Sequence, residues 1–198
     1  MDGSLLPVLG FVFAASVIPG PNNTLVAVNA AANGLRATWP HMLGIGSGFA
    51  LMIVLVGLGL AGVLAAHPML ATAMRWASMA WLVWLAWKIA TAPMGRGHGR
   101  RHTMRLRERG RFQWVNPKGW LLALSIAATW VRPDAPAVPQ LAVIGAAFFV
   151  IGLPSNLAWA LLGVGAAHFL GRGPRMRSFD IAMALLLVAS MLPIALEG

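Results

Sequence analysis

Six apolar runs, each close to the length that crosses a bilayer, dominate this sequence: residues 5–33, 41–65, 69–91, 114–131, 138–169 and 179–196. A hydrocarbon core takes about 20 residues of α-helix to span. Runs of this length and spacing predict an all-α polytopic membrane protein with six transmembrane helices. A chain that is 59% hydrophobic and only 10% charged has too little polar surface to be soluble. An outer-membrane barrel would show short alternating segments, whereas these runs are continuously apolar and rich in Leu, Ala, Met and Val. The connections leave no room for another fold, so residues 1–198 read as one transmembrane domain. Met1-Asp2-Gly3-Ser4 lacks the basic start of a secretory leader, and the run after it is too long and carries Pro and Asn. It is therefore expected to remain as the first transmembrane helix.

The net charge of +10 would point to nucleic acid in a soluble chain; in this one it is a topology signal. Placing alternate connections on opposite faces collects Arg36, Lys88, the seven arginines of residues 92–113, Lys118, Arg172, Arg175 and Arg177 on one side. Only Arg75 and Arg132 are left on the other. Lys and Arg concentrate on the cytoplasmic side, which predicts both termini outside the cytoplasm. The Arg-rich connection, with Glu108 as its single acid, reads as an orientation determinant that touches anionic lipid rather than as a nucleic-acid site.

Residues 1–91 and 114–198 each hold three runs, so the second half enters the membrane in the opposite sense. Each half carries a proline-interrupted polar motif, Pro19-Gly20-Pro21-Asn22-Asn23 and Asn116-Pro117-Lys118-Gly119. Two inverted three-helix repeats are the expected architecture, and such repeats place a binding site near their shared axis.

The polar interruptions are the candidate functional residues. Counting from Leu5 at 1.5 Å per residue, Gly20 lies roughly 22 Å along its helix, well inside the core. Pro19 and Pro21 have no N–H to give the carbonyls of Ala15 and Val17, and lipid cannot replace it. Pro21 suits the first position of a new half-helix whose early N–H groups, with Asn22 and Asn23, face back into the break. Carbonyls beside a helix N-terminus match a zwitterion; a kink satisfied by Thr24, Ser16 or neighbouring helices is the other reading. A second break is expected at Gly152–Asn156, where Pro154 frees the Val150 carbonyl and Ser155 and Asn156 supply polar groups. Asn156 either binds a ligand or holds two helices together. Lys118 either snorkels to the interface or turns inward towards a carboxylate.

Other motifs carry less. Gly57-Leu58-Gly59-Leu60-Ala61-Gly62 fits a dinucleotide pattern, but it lies inside an apolar helix with no strand before it. Glycines 44, 48, 57, 59, 62, 163 and 165 read as close helix approaches. Trp76, Trp81, Trp84 and Trp87 read as lipid or interface anchors. With no Cys, and only His98 and His102 together in a basic loop, no metal site is expected. No cofactor is expected either. The five acids fall at ends or connections, so no hydrolase set lies in the membrane, and the chain reads as other than an enzyme. His41, His168, Lys118 and Asp180 are the groups near enough to carry a coupling proton, and Asp180, the acid that can enter the last helix, is the candidate coupling residue.

Pro19-Gly20-Pro21-Asn22-Asn23, Gly34-Leu35-Arg36, Gly44-Ile45-Gly46-Ser47-Gly48 and Asn116-Pro117-Lys118 together resemble the LysE/RhtB amino-acid exporters over nearly the whole chain. Leu85–Thr91 and Asn156–Leu161 are similar to the branch that exports cysteine and O-acetylserine. The resemblance implies a bacterial inner-membrane secondary transporter that exports small amino acids or their derivatives, of the cysteine/O-acetylserine or threonine/homoserine type, driven by the proton gradient. Many relatives carry aspartate where this chain has Asn22, and a neutral residue there fits a zwitterion better than a dication. Asn22, Asn23, Asn116, Lys118, Ser155 and Asn156 are the candidate substrate ligands; Pro19, Gly20, Pro21, Pro117 and Pro154 shape the backbone around them. A heavy-metal or cation exporter of the wider superfamily and a non-transporting scaffold stay open as alternatives, as does association into a homo-oligomer.

Overall fold

The structure is a computed structural model that describes residues 5–92 and 114–196, apart from 115, 133 and 172. The Arg-rich connection, with His98 and His102, lies outside the described residues. Every described element is helical: α1 (Leu5–Val17), α2 (Pro21–Leu55), a π-helical turn (Val56–Leu60), α3 (Ala61–Ala66), α4 (Pro68–Ala90), α5 (Pro117–Trp130), α6 (Ala137–Leu170), α7 (Pro174–Ala189) and α8 (Leu192–Leu196). Three stretches are long and apolar enough to cross a membrane: Pro21–Ala66, Pro68–Ala90 and Ala137–Leu170. Proline stands in the first turn of α2, α4, α5 and α7. There its fixed φ suits the helix, and its missing N–H would have had no partner.

α1 stops at Val17 because Pro19 cannot donate; the chain then runs extended through Gly20 (φ −166°, ψ −180°) before Pro21 opens α2. This is the break expected in the first run. The connection expected at 34–40 shrinks to one residue. Gly34 (φ 80°, ψ 169°) turns the chain in a conformation nearly exclusive to glycine, and α2 resumes at once, with Pro40 inside it. Side chains close the turn: Asn29 Nδ2 donates to Thr38 Oγ1 at 2.7 Å, and Thr38 Oγ1 donates to the Gly34 carbonyl at 2.9 Å.

The break expected at Gly152–Asn156 is not present. α6 keeps its helical course through Pro154, because the proline removes a single ladder bond and packing along the rest of a 34-residue helix outweighs that loss. The last run starts at Pro174, five residues earlier than expected, and ends where Ser190 Oγ caps the Leu187 carbonyl at 2.7 Å. A further difference is the π-helical turn, where Gly59 takes φ 135°.

α2 packs most extensively on α6. A side chain on Gly163 would collide with the Ala27 carbonyl, one on Gly57 with Leu141, and one on Gly145 would press on the Ala50 backbone. Lipid gives helices no hydrophobic reason to associate, so such backbone approaches carry the packing. Gly59, Gly62 and Gly165 face open space instead, against expectation. One core joins Val12, Met52, Ile53, Ile126, Leu141 and Phe148 of α1, α2, α5 and α6. A second joins Leu25 to Leu82, Ala86 and Leu187 of α4 and α7. A third ties the two arms of α2 to Ala160. Trp76, Trp81, Trp84 and Trp87 point outward, 39% to 68% exposed, as lipid-facing anchors would.

Candidate functional site

The broken start of α2 and the start of α5 meet on one cavity of about 560 Å³, its open mouth included. Asn22 and Asn23 enter it from α2, Asn116, Lys118 and Gly119 from the start of α5, Asn156 from α6, and Ser16, Ile18 and Gly20 from the break. Ile45, Phe49, Leu122 and Phe148 form its apolar wall. Phe49 and Phe148 meet edge to face at 4.9 Å. Nothing in the sequence marks these two phenylalanines, since one apolar residue in an apolar helix looks like any other.

At the break, side chains hydrogen-bond the carbonyls of Ser16, Ile18 and Pro19. Asn23 Nδ2 donates to Ser16 O at 3.1 Å and to Ile18 O at 3.2 Å. Ser155 Oγ donates to Ser16 O at 2.8 Å from across the interface. Lys118 turns inward: its Nζ donates to Ile18 O at 3.2 Å and to Pro19 O at 3.4 Å. It therefore sits at the negative end of α1, where a cation is stabilised. Gly20 makes room for it, because a Cβ there would stand 3.1 Å from Lys118 Cδ and Nζ.

Asn116 stands just before the first residue of α5 and donates from Nδ2 to Asn22 Oδ1 at 3.2 Å. Its own Oδ1 is buried without a hydrogen-bond partner, at 2% residue exposure. An acceptor left so costs about 1–3 kcal/mol until a donor reaches it. The first-turn N–H groups of α2 and α5 point out of their N-termini, both of which line the cavity. The site thus combines two positive helix ends, a lysine, four amide side chains and a set of carbonyls.

The sequence matches the LysE type translocator family model over residues 13–194. The chain belongs to the LysE type translocator family. It is 32% identical over 181 residues, 90% of either chain, to the cysteine/O-acetylserine efflux proteins of Salmonella typhimurium LT2 and of Escherichia coli K12. No solved structure matches it.

Five of the six candidate ligands of this translocator line the cavity: Asn22, Asn23, Asn116, Lys118 and Asn156. Ser155 does not; it holds α6 to the end of α1. Gly20 and Pro21 line the cavity, Pro117 is buried at the start of α5, and Pro154 lies exposed on α6 without breaking it. Asp180 is buried in α7 at 3% exposure and is not among the residues that line the cavity. Of the lining residues only Lys118 is titratable.

Proposed function

We propose that the protein is a proton-driven secondary transporter, not an enzyme, that exports small neutral amino acids or their derivatives across a bacterial inner membrane. Cysteine and O-acetylserine lead the substrate classes, on the names of its relatives. Six spans in two inverted repeats, both termini outside, work by alternating access around the cavity. The Arg-rich connection rests on anionic lipid at the cytoplasmic face. One observation carries the reading: a cavity where two helix N-termini, four amide side chains and stranded carbonyls converge inside an otherwise apolar bundle. That set is complementary to both ends of a zwitterion. The helix ends and amide N–H groups suit the carboxylate; the carbonyls and Asn116 Oδ1 suit the ammonium. A metal cation fits poorly, because Lys118 already brings a positive charge to the cavity and no carboxylate offsets it among the described residues that line it.

Proteoliposomes loaded in turn with labelled cysteine, O-acetylserine, threonine, homoserine and lysine test the proposal. The neutral amino acids are expected to leave several-fold faster than from protein-free vesicles, and lysine is not. If none leaves faster, the exporter reading fails.

A further inference from the structure

Lys118 stands in the place that the proposed reading gives to a substrate ammonium. Its Nζ donates to the carbonyls of Ile18 and Pro19, which the helix break leaves beside the cavity. Two ammonium groups brought to the same two carbonyls repel one another at close range, so substrate and lysine compete for them. The titratable groups on the described elements packed against α5 are Arg36 and His41 of α2 and Arg75 and Lys88 of α4. α1 carries none, and α6 carries only His168. None of these lines the cavity. Among the described residues that line the cavity, Lys118 is the group that can exchange a proton.

We propose that Lys118 is the proton-coupling residue of the transporter, its ammonium competing with the substrate's ammonium for the carbonyls of Ile18 and Pro19. This rests on the exporter reading and gives the coupling role to Lys118 rather than to Asp180. Facing the cytoplasm, Lys118 releases one proton to water, and its neutral amine withdraws. The substrate's ammonium then takes the two carbonyls and the buried Asn116 Oδ1. Facing outward, the substrate departs and an external proton restores the Lys118 ammonium, which reoccupies the carbonyls for the return. One proton enters for each substrate that leaves, and only the lysine N–H bond is broken and remade. Because a zwitterion carries no net charge, each cycle moves one positive charge inward. The substrate must itself present a free ammonium, so an N-acetylated amino acid is excluded while an O-acetylated one is accepted.

The test uses the purified full chain in weakly buffered detergent with a pH indicator, and in proteoliposomes, with cysteine as the first probe and the other four amino acids after it. Measurements run from about pH 6 to about pH 7.5, where cysteine keeps its thiol proton. Wild type is expected to release up to one proton per substrate bound, with apparent affinity rising up to tenfold per pH unit. An imposed gradient, acid outside, accelerates its efflux several-fold. In K118M proton release vanishes, affinity becomes independent of pH, and the ratio of efflux with and without the gradient falls to one, whatever the absolute rate. K118R keeps a permanent cation and is expected to bind at least tenfold more weakly, also without pH dependence. Wild type that exports but releases no proton on saturation overturns the proposal even if neither variant folds. So does a K118M protein that still responds to the gradient. Wild type that moves none of the five amino acids overturns the exporter reading itself, a separate result.

Discussion

Asn116 Nδ2 donates to Asn22 Oδ1 at 3.2 Å, joining residues 94 apart in the chain. Each belongs to a proline motif that starts a helix, Pro21 for α2 and Pro117 for α5. The bond therefore links the two halves at the point where both present their helix N-termini to one cavity. Asn22→Ala and Asn116→Ala are each expected to weaken substrate binding about fivefold, the worth of about 1 kcal/mol. The double variant should lose less than the sum, with a coupling of about 0.5–1.5 kcal/mol by the double-mutant cycle. Binding measured on the four proteins checks this; strict additivity would show that the bond does not matter.

Ser155 and Asn156 are neighbours with different work. Ser155→Ala removes the hydroxyl donor to Ser16 O, which keeps Asn23. It should cost about 0.5–1.5 kcal/mol of stability and leave substrate affinity within about twofold. Asn156→Ala, from the cavity wall, should lower affinity with little change in melting temperature. Thermal unfolding and substrate binding, measured side by side, separate the two.

Gly163 sits where α6 crosses α2, and a methyl group there meets the carbonyl of Ala27. Gly163→Ala is expected to destabilise the fold by about 1–3 kcal/mol, as overpacking does. Gly62→Ala, at a helical glycine with open space around it, should be neutral or slightly stabilising, within about 1 kcal/mol. The difference in melting temperature between the two variants is the measurement.

Between α5 and α6, Arg132 Nε donates to Asp134 Oδ1 at 3.0 Å in an exposed pair. This bond, chiefly, holds the Asp134 carboxyl below its ordinary value of 3.8. A depressed carboxylate contributes its stability above the unfolded value and loses it as pH falls through the folded one, so the effect lies wholly in acid. Carboxylate NMR should show Asp134 titrating lower in wild type than in Arg132→Gln, with efflux at neutral pH unchanged. A titration that does not move in the variant would refute this assignment.

The first break was legible in the sequence because two prolines in an apolar run leave carbonyls that lipid cannot satisfy. What satisfies them was not legible. Lys118 had two exits by composition, and only the meeting of α5 with the end of α1 sends its Nζ inward. The Pro154 site misled for the opposite reason: one missing N–H in a 34-residue helix is a local loss that packing absorbs. Gly34 looked like the start of a connection because Gly, Arg and Pro cluster there. The Asn29–Thr38 bond that lets one residue do the turning joins positions nine apart, a spacing no helical or strand pattern displays. Phe49 and Phe148 carry no signal at all, since their role comes from which helices happen to face each other.

That one-residue turn also has a mechanical meaning. With no slack between the arms of α2 and a side-chain bond across the corner, the stretch from Pro21 to Asn33 is held at a fixed angle to the arm beyond Gly34. A difference of about ten degrees in that angle would place the far tip, roughly 20 Å away, about 3 Å elsewhere. The tip is Pro21, next to the carbonyls that grip Lys118, and 3 Å is the full reach of a hydrogen bond. The angle set at one glycine thus fixes where that grip is placed, to within the length of a hydrogen bond.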